Sequence, residues 1–151
     1  MAVRVQREDF NIGRELDALT EGNPGIGGLC SFTGLVRDIH GDAGVSAMTL
    51  EHYPGMTEKM LLEIEAEANQ RWPLEQTLII HRYGRLLPGD RIVLVAAASA
   101  HREAAFEACH FLIDWLKTKA PFWKVEEDRS GEENWVQARA SDDSAAERWN
   151  K

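Results

Sequence analysis

Arg91-Ile-Val-Leu-Val-Ala-Ala-Ala-Ser-Ala-His-Arg102 decides the architecture. Arg91–Ala98 has no polar alternation, so both its faces are expected to be covered and the segment to form a central strand. A helix over Arg102–Lys117 follows directly, with Ala105, Phe106, Cys109, Leu112, Ile113 and Leu116 as its apolar stripe. Pro121 cannot continue it, because proline lacks the N–H and disfavours helical geometry at Ala120. Upstream, Gln76–Tyr83 is another β-rich run, joined through Gly84-Arg-Leu-Leu-Pro-Gly-Asp90, and predicts an antiparallel pair with the central strand.

Working outward, Val3–Gln6 reads as a short strand and Asn11–Leu19 as a helix. Glu21–Gly28 is turn chemistry, and Leu29–Val36 reads as a buried strand. The glycines before Leu29 lead into a strand rather than a helix, which excludes a phosphate-binding P-loop. Asp38–Gly44 is a polar loop and Val45–Tyr53 resumes extended structure up to Pro54-Gly55. Thr57–Trp72 is an amphipathic helix with Met60, Leu61, Ile64, Ala68 and Trp72 on one face. Phe122–Glu127 and Asn134–Ala138 predict a last strand pair about Ser130-Gly131, and Ser141 a cap for a short final helix. Strands and helices mix without strict alternation, so the class is α+β, and the 151 residues are expected to form one domain.

The chain carries 17 basic and 25 acidic residues, a formal charge of −8. That excludes a broad basic face for nucleic acid or acidic membranes. No apolar stretch spans a bilayer, and the first residues lack a secretory signal, so a cytoplasmic protein is expected. Cys30 and Cys109 belong to no CxxC pair and are expected to be small buried hydrophobes.

Three of the five lysines fall within Lys117–Lys124, beside Pro121, Phe122 and Trp123. Cations crowded in an acidic chain call for an anion, whether ligand or partner. Alternation puts Phe122 and Lys124 on one face of their strand and Trp123 on the other. Taken alone, Lys117 has an ordinary structural explanation in the helix dipole, and Lys119 reads as a surface residue. His101 and Arg102 stand where a helix start exposes N–H groups, which suits phosphate or carboxylate. Arg37, after Thr33-Gly-Leu-Val36, is either a phosphate-binding fork or simply the first exposed residue after a strand. Asp38, His40 and Asp42 alternate in a loop, without further ligands to complete a metal site. Glu51, His52 and Glu58 are acid–base candidates at a charge-rich corner.

Several blocks together resemble the large, catalytic subunit of the molybdopterin synthases. They are Phe32-Thr-Gly-Leu-Val-Arg37, Leu50-Glu-His-Tyr-Pro-Gly-Met-Thr-Glu-Lys59 and His81-Arg-Tyr-Gly84, followed by Pro88-Gly-Asp90 and Ser99-Ala-His-Arg102. Ala105-Phe-Glu-Ala108, Asp114-Trp-Leu-Lys117 and Ala120-Pro-Phe-Trp-Lys124 complete the series. The resemblance implies an α/β-hammerhead fold and a homodimer of large subunits. Each would bind the C-terminal tail of a small ubiquitin-like sulfur-carrier subunit, giving a heterotetramer. The implied reaction moves sulfur from the carrier's thiocarboxylate to cyclic pyranopterin monophosphate, forming the dithiolene of molybdopterin in molybdenum cofactor biosynthesis. No metal or other cofactor is implied.

By position, Lys117 and Lys124 match the family's active-site lysines. Leu35, Val36, Arg37, His101, Arg102, Val125, Glu126 and Arg139 match its substrate pocket. Val125 stands where the family often has a basic residue. Two other readings stay open on the residues: a module that binds a ubiquitin-like tail without catalysis, and a small phosphate-ester enzyme using His101.

Overall fold

The computed structural model describes residues 2–38, 47–128, 131–136 and 140–150. His40, Asp42, the expected strand start at Val45, Ser130, Ala138 and Arg139 lie outside them. The elements are β1 (Ala2–Gln6), α1 (Ile12–Thr20), β2 (Gly28–Leu35), β3 (Ala47–His52), α2 (Met56–Arg71) and β4 (Leu74–Arg82). After them come β5 (Gly84–Leu86), β6 (Arg91–Ser99), α3 (Arg102–Lys119), β7 (Phe122–Glu127), β8 (Glu133–Val136) and α4 (Ala140–Glu147). The class is α+β.

Two four-stranded sheets share these strands. The first has the order β1-β4-β6-β2, with β1 and β4 parallel and the other pairs antiparallel. The apolar run of β6 is interior to it, and every residue from Ile92 to Ser99 is buried. Helices α2 and α3 pack on one face and α1 on the other. Alternation along β6 therefore divides the core. Val93, Val95 and Ala97 join Leu61, Ile64, Phe111 and Leu112 beneath α2 and α3, while Leu94 and Ala96 join Phe10, Leu78 and Ile80 beside α1.

The second sheet, β5-β3-β7-β8, is antiparallel throughout. Its existence corrects one expectation. Between β4 and β6 the chain does not simply turn, because β5 leaves the first sheet to pair with β3. Gly84 stands at φ +93°, a conformation that favours glycine, where that departure begins.

Three further expectations fail for reasons of packing. Leu29–Val36 reads as buried, yet β2 is the edge of its sheet, with Leu29 37% and Leu35 55% exposed. Phe106 lies off the α3 core stripe at 60% exposure, and Ala108 and Phe111 are buried instead. The final helix spans Ala140–Glu147, so Ser141 is its second residue rather than the position before it.

Gly27 and Gly28 let β2 lie directly against the entry to α3. A Cβ on Gly27 would stand 2.1 Å from the Ala100 carbonyl oxygen, and one on Gly28 would stand 3.1 Å from the Arg102 Cα. Both obstacles are backbone, which cannot rotate away. Gly27→Ala should therefore lower stability by about 1–3 kcal/mol, the scale of overpacking. A fall in the urea midpoint at unchanged slope is the expected reading, and an unchanged midpoint would contradict the close approach.

Glu65 of α2 is buried among apolar neighbours and accepts a hydrogen bond from Thr77 Oγ1 at 2.7 Å. Burial raises its carboxyl above the ordinary value of 4.5, outweighing that bond. A raised acid contributes stability that is complete below 4.5 and declines as pH climbs through the higher folded value. Glu65→Gln keeps an acceptor for Thr77 but does not titrate. Denaturation at several pH values should show the variant near wild type in acid and more stable than wild type at pH 8. A difference independent of pH would show that Glu65 does not titrate in this way.

Candidate active site

The site forms where the two sheets meet. Strand β7 alternates as its sequence predicts: Trp123 faces outward at 40% exposure, while Phe122, Lys124 and Glu126 share the opposite face. Across β3 these three pair with His52, Leu50 and Met48, the last two buried in the core. Phe122 then stacks on His81 of β4, ring centroids 3.6 Å apart and planes inclined by 14°. His81 belongs to the first sheet, so this contact ties the sheets together. His52 lies 6.0 Å from Phe122 and 4.5 Å from Tyr83, which continues the aromatic wall. On Tyr83 the guanidinium of Arg7 rests 4.9 Å from the ring centroid.

Hydrogen bonds fix both imidazoles. His81 Nδ1 lies 2.8 Å from the Arg82 carbonyl oxygen, which only accepts, so Nδ1 carries the proton. Thr57 Oγ1 gives its one proton to the Tyr53 carbonyl, so His52 Nδ1 must donate to Thr57 Oγ1, 3.1 Å away.

Burial drives the pKa of His81 down to about 3. Its bond to the Arg82 carbonyl opposes this, and the charges of Lys117, Lys124 and His52 push it further down. Lys117 belongs to α3 and Lys124 to β7, and both ammonium groups act on the same ring. They therefore lie on one side of the molecule. Both lysines are half-buried.

Not every expected cation joins them. His101 is the N-cap of α3 and Arg102 its first residue. Fifteen residues of helix separate Arg102 from Lys117, about 22 Å along the axis. Within one chain, then, the expected single pocket of Lys117, Lys124, Arg37, His101 and Arg102 does not form. His101 and Arg102 instead line an open depression of about 480 Å³ with Gly27, Ala100 and Glu103. Arg37 stands toward the Lys117 end of α3. Strand β2 runs from Gly28, opposite Ser99, to Leu35, opposite Arg91, which leaves Arg37 at the end of the sheet where α3 finishes.

Among the flanking residues, Val36 is buried. Its N–H donates to the Asp90 carbonyl and its own carbonyl accepts from Gly89, which holds the chain before Arg37. Leu35 is exposed beside a register shift. Glu126 is half-buried on the Lys124 face, whereas Val125 pairs with Thr49 and Trp135 on the other face, so its side chain points away from the lysines. Lys119 is exposed, its ammonium 4.5 Å from the centroid of Trp115. Glu58 accepts from the Gly55 N–H at 2.6 Å and so caps α2, while its neighbour His52 belongs to the aromatic wall. Cys109 is buried, its thiol pushed up by burial and by Cys30, which is half-buried; both are free thiols.

The sequence reading missed His81 and Phe122 as parts of the site. A lone histidine in an apolar strand reads as core, and only the His81–Gly84 block singled it out.

Fold and site together define an α+β protein with two lysines, from a helix and a strand, within electrostatic reach of a buried imidazole. Comparison with known proteins supplies the family. Residues 5–119 match the family model described as "MoaE protein". The molybdopterin synthase catalytic subunit of Pseudomonas aeruginosa is 56% identical over 149 residues, covering 99% of each chain. Among solved structures, a molybdopterin biosynthesis MoaE protein from Burkholderia ambifaria superposes with a TM-score of 0.85 at 53% identity, covering 100% of this chain and 99% of that one. Molybdopterin synthase from Staphylococcus aureus gives 0.82 at 30% identity, covering 89% and 96%. The chain belongs to the MoaE protein family.

Proposed function

We propose that this chain is a sulfurtransferase that moves sulfur from the thiocarboxylate tail of a small ubiquitin-like carrier to cyclic pyranopterin monophosphate, forming the dithiolene of molybdopterin. The observation that carries the reading is the placement of Lys124 on the strand face of the Phe122–His81 stack, with Lys117 of α3 also within electrostatic reach of that imidazole. Both reactants are anions. Pressing them together costs about 1 kcal/mol at 4 Å in water and several in a drier cleft. Two fixed ammonium groups offset that repulsion and orient the reacting ends. In this reading Lys117 holds and polarises the thiocarboxylate, and Lys124 stabilises charge or moves protons at the pterin. Arg37, at the same end of the sheet, binds the phosphate.

The length of α3 gives the proposed homodimer a task. His101 and Arg102 stand too far from their own Lys117 to share a ligand with it, so they serve the pocket of a second copy. That copy completes the anion site with its helix start. Sulfur enters with the carrier, and this chemistry calls for no metal.

Lys117→Ala should abolish dithiolene formation from thiocarboxylated carrier and precursor, while gel filtration still shows the carrier complex. Normal turnover by the variant would refute the role of Lys117. The shared pocket predicts complementation. Lys117→Ala and Arg102→Ala chains, each inactive alone, should regain activity when mixed and allowed to exchange subunits, because one of the two pockets in the mixed dimer is then intact. No recovery in a dimer shown by mass spectrometry to be mixed would place both residues in the pocket of one chain.

A further inference from the structure

Three of the four outer strands of the two sheets carry a charged residue. β1 contains Arg4, the three-residue β5 contains Arg85 and the four-residue β8 contains Glu133. Strand β2, Gly28-Leu-Cys-Ser-Phe-Thr-Gly-Leu35, has eight residues, no charge and no proline. Among the described residues no strand pairs with its outer edge, where alternate residues turn their N–H and C=O away from β6. Soluble proteins guard such edges with charge, proline or brevity, so a long uncharged edge is a template for a further strand. Leu29, Phe32 and Leu35 are all exposed along it. The neighbouring side of α3 is uncovered as well. The Arg102 Cα lies 3.1 Å from where a Gly28 Cβ would stand, which puts Arg102 on the β2 side of the helix. At 3.6 residues per turn, Phe106, Ile113 and Lys117 fall within about 60° of Arg102, and Phe106 is exposed there. Phe32 shares its face of β2 with Cys30, which packs against the core beneath α3.

We propose that β2 is the seam of the homodimer: it pairs antiparallel with β2 of a second copy, Phe32 opposite Phe32, and joins the two four-stranded sheets into one. A two-fold axis normal to the sheet matches like faces, so the register can shift only in steps of two residues. Centred on Phe32, the pairing sets Leu29 against Leu35 of the other copy; centred on Ser31, it would set Leu29 against Thr33. Because α3 packs over both β2 and β6, its axis runs about half a strand spacing inside β2. With strands about 4.8 Å apart, the two α3 axes come about 10 Å apart, the distance of packed helices, and Phe32 and Phe106 fill the space between them. The same rotation joins what one chain separates. Phe32 lies about 13 Å along β2 from Gly28, so the axis crosses α3 about nine residues beyond Arg102. Arg102 of one copy then stands within about 5 Å, measured along the helix, of the other's Lys117, instead of about 22 Å away. Val36 falls opposite Gly28 of the second copy, so Arg37 arrives beside the depression lined by Gly27, His101 and Arg102. The shared site rests on the function proposed above, but the seam does not, and the test separates the two.

Cross-linking reads the register without turnover. Opposite residues of an antiparallel pair hold their Cα atoms about 4.5–5.5 Å apart, within reach of a disulfide. Mild oxidation of Phe32→Cys should give a covalent dimer bridged through position 32 of both chains. Leu29→Cys and Leu35→Cys chains should cross-link when mixed and allowed to exchange, but not separately. Wild type should stay uncross-linked, because Cys30 of one copy lies about 13 Å along the strand from that of the other. Failure of Phe32→Cys to bridge, or a bridge in Leu29→Cys alone, overturns the seam. The second measurement is sedimentation. Phe32→Arg sets two like charges against each other at the axis and should be monomeric at concentrations where wild type is a dimer, with its far-UV circular dichroism unchanged. A dimeric Phe32→Arg, or a monomeric wild type, overturns the proposal whatever the activity. Monomeric Phe32→Arg should also lose dithiolene formation. If the cross-links form as expected but that monomer turns over normally, the seam stands and the site shared between copies falls.

Discussion

The stacking of Phe122 on His81 is the contact on which the site depends. Each ring belongs to a different sheet, and β7 carries Lys124 two residues beyond Phe122 on the same face. Position the ring and the base of the lysine is positioned with it, since residues i and i+2 of a strand line one face. Lys117 comes from the other direction, on a helix that packs over β2 and β6. The two lysines come within electrostatic reach of one imidazole because a sheet–sheet contact and a helix–sheet contact end at one place. Neither lysine could be drawn to the other by its own charge, and the packing of their elements sets where each one stands.

The helix α3 imposes the second constraint. It is rigid over 18 residues, with a cation at its start and another near its end. A helix of that length keeps its ends apart, so Arg102 and Lys117 belong to two separate places on one chain. Gly27 and Gly28 set one end by admitting the Ala100 and Arg102 backbone into contact with β2. The turn at Pro121 sets the other by releasing the chain into β7. Burial of α3 on the first sheet explains why this spacing is stable.

Much of this was legible in the chain. The covered strand at Arg91–Ala98, the helix after it, the break at Pro121 and the alternation that sends Trp123 outward follow from side-chain periodicity, which is a local property. The blocks containing Arg37, Lys117 and Lys124 carry the resemblance to the family independently of the fold. What periodicity could not show is where an element stands in a sheet. An apolar edge strand such as β2 has the same composition as a buried one, and Phe106 satisfies a helical stripe without facing the core. The short β5 looked like part of a loop because three residues carry too little pattern to register.

Local chemistry, then, determined the elements, their class and the candidate cations, because propensity and alternation act over a few residues. Tertiary structure alone decided which cations stand near one another. His101 and Arg102 are sequence neighbours of the same helix as Lys117, yet a rigid rod holds them apart. His81 and Lys124 are 43 positions apart in the chain, yet the meeting of two sheets brings them into electrostatic contact. Distance along a chain says little about distance through space once helices are stiff and sheets cross.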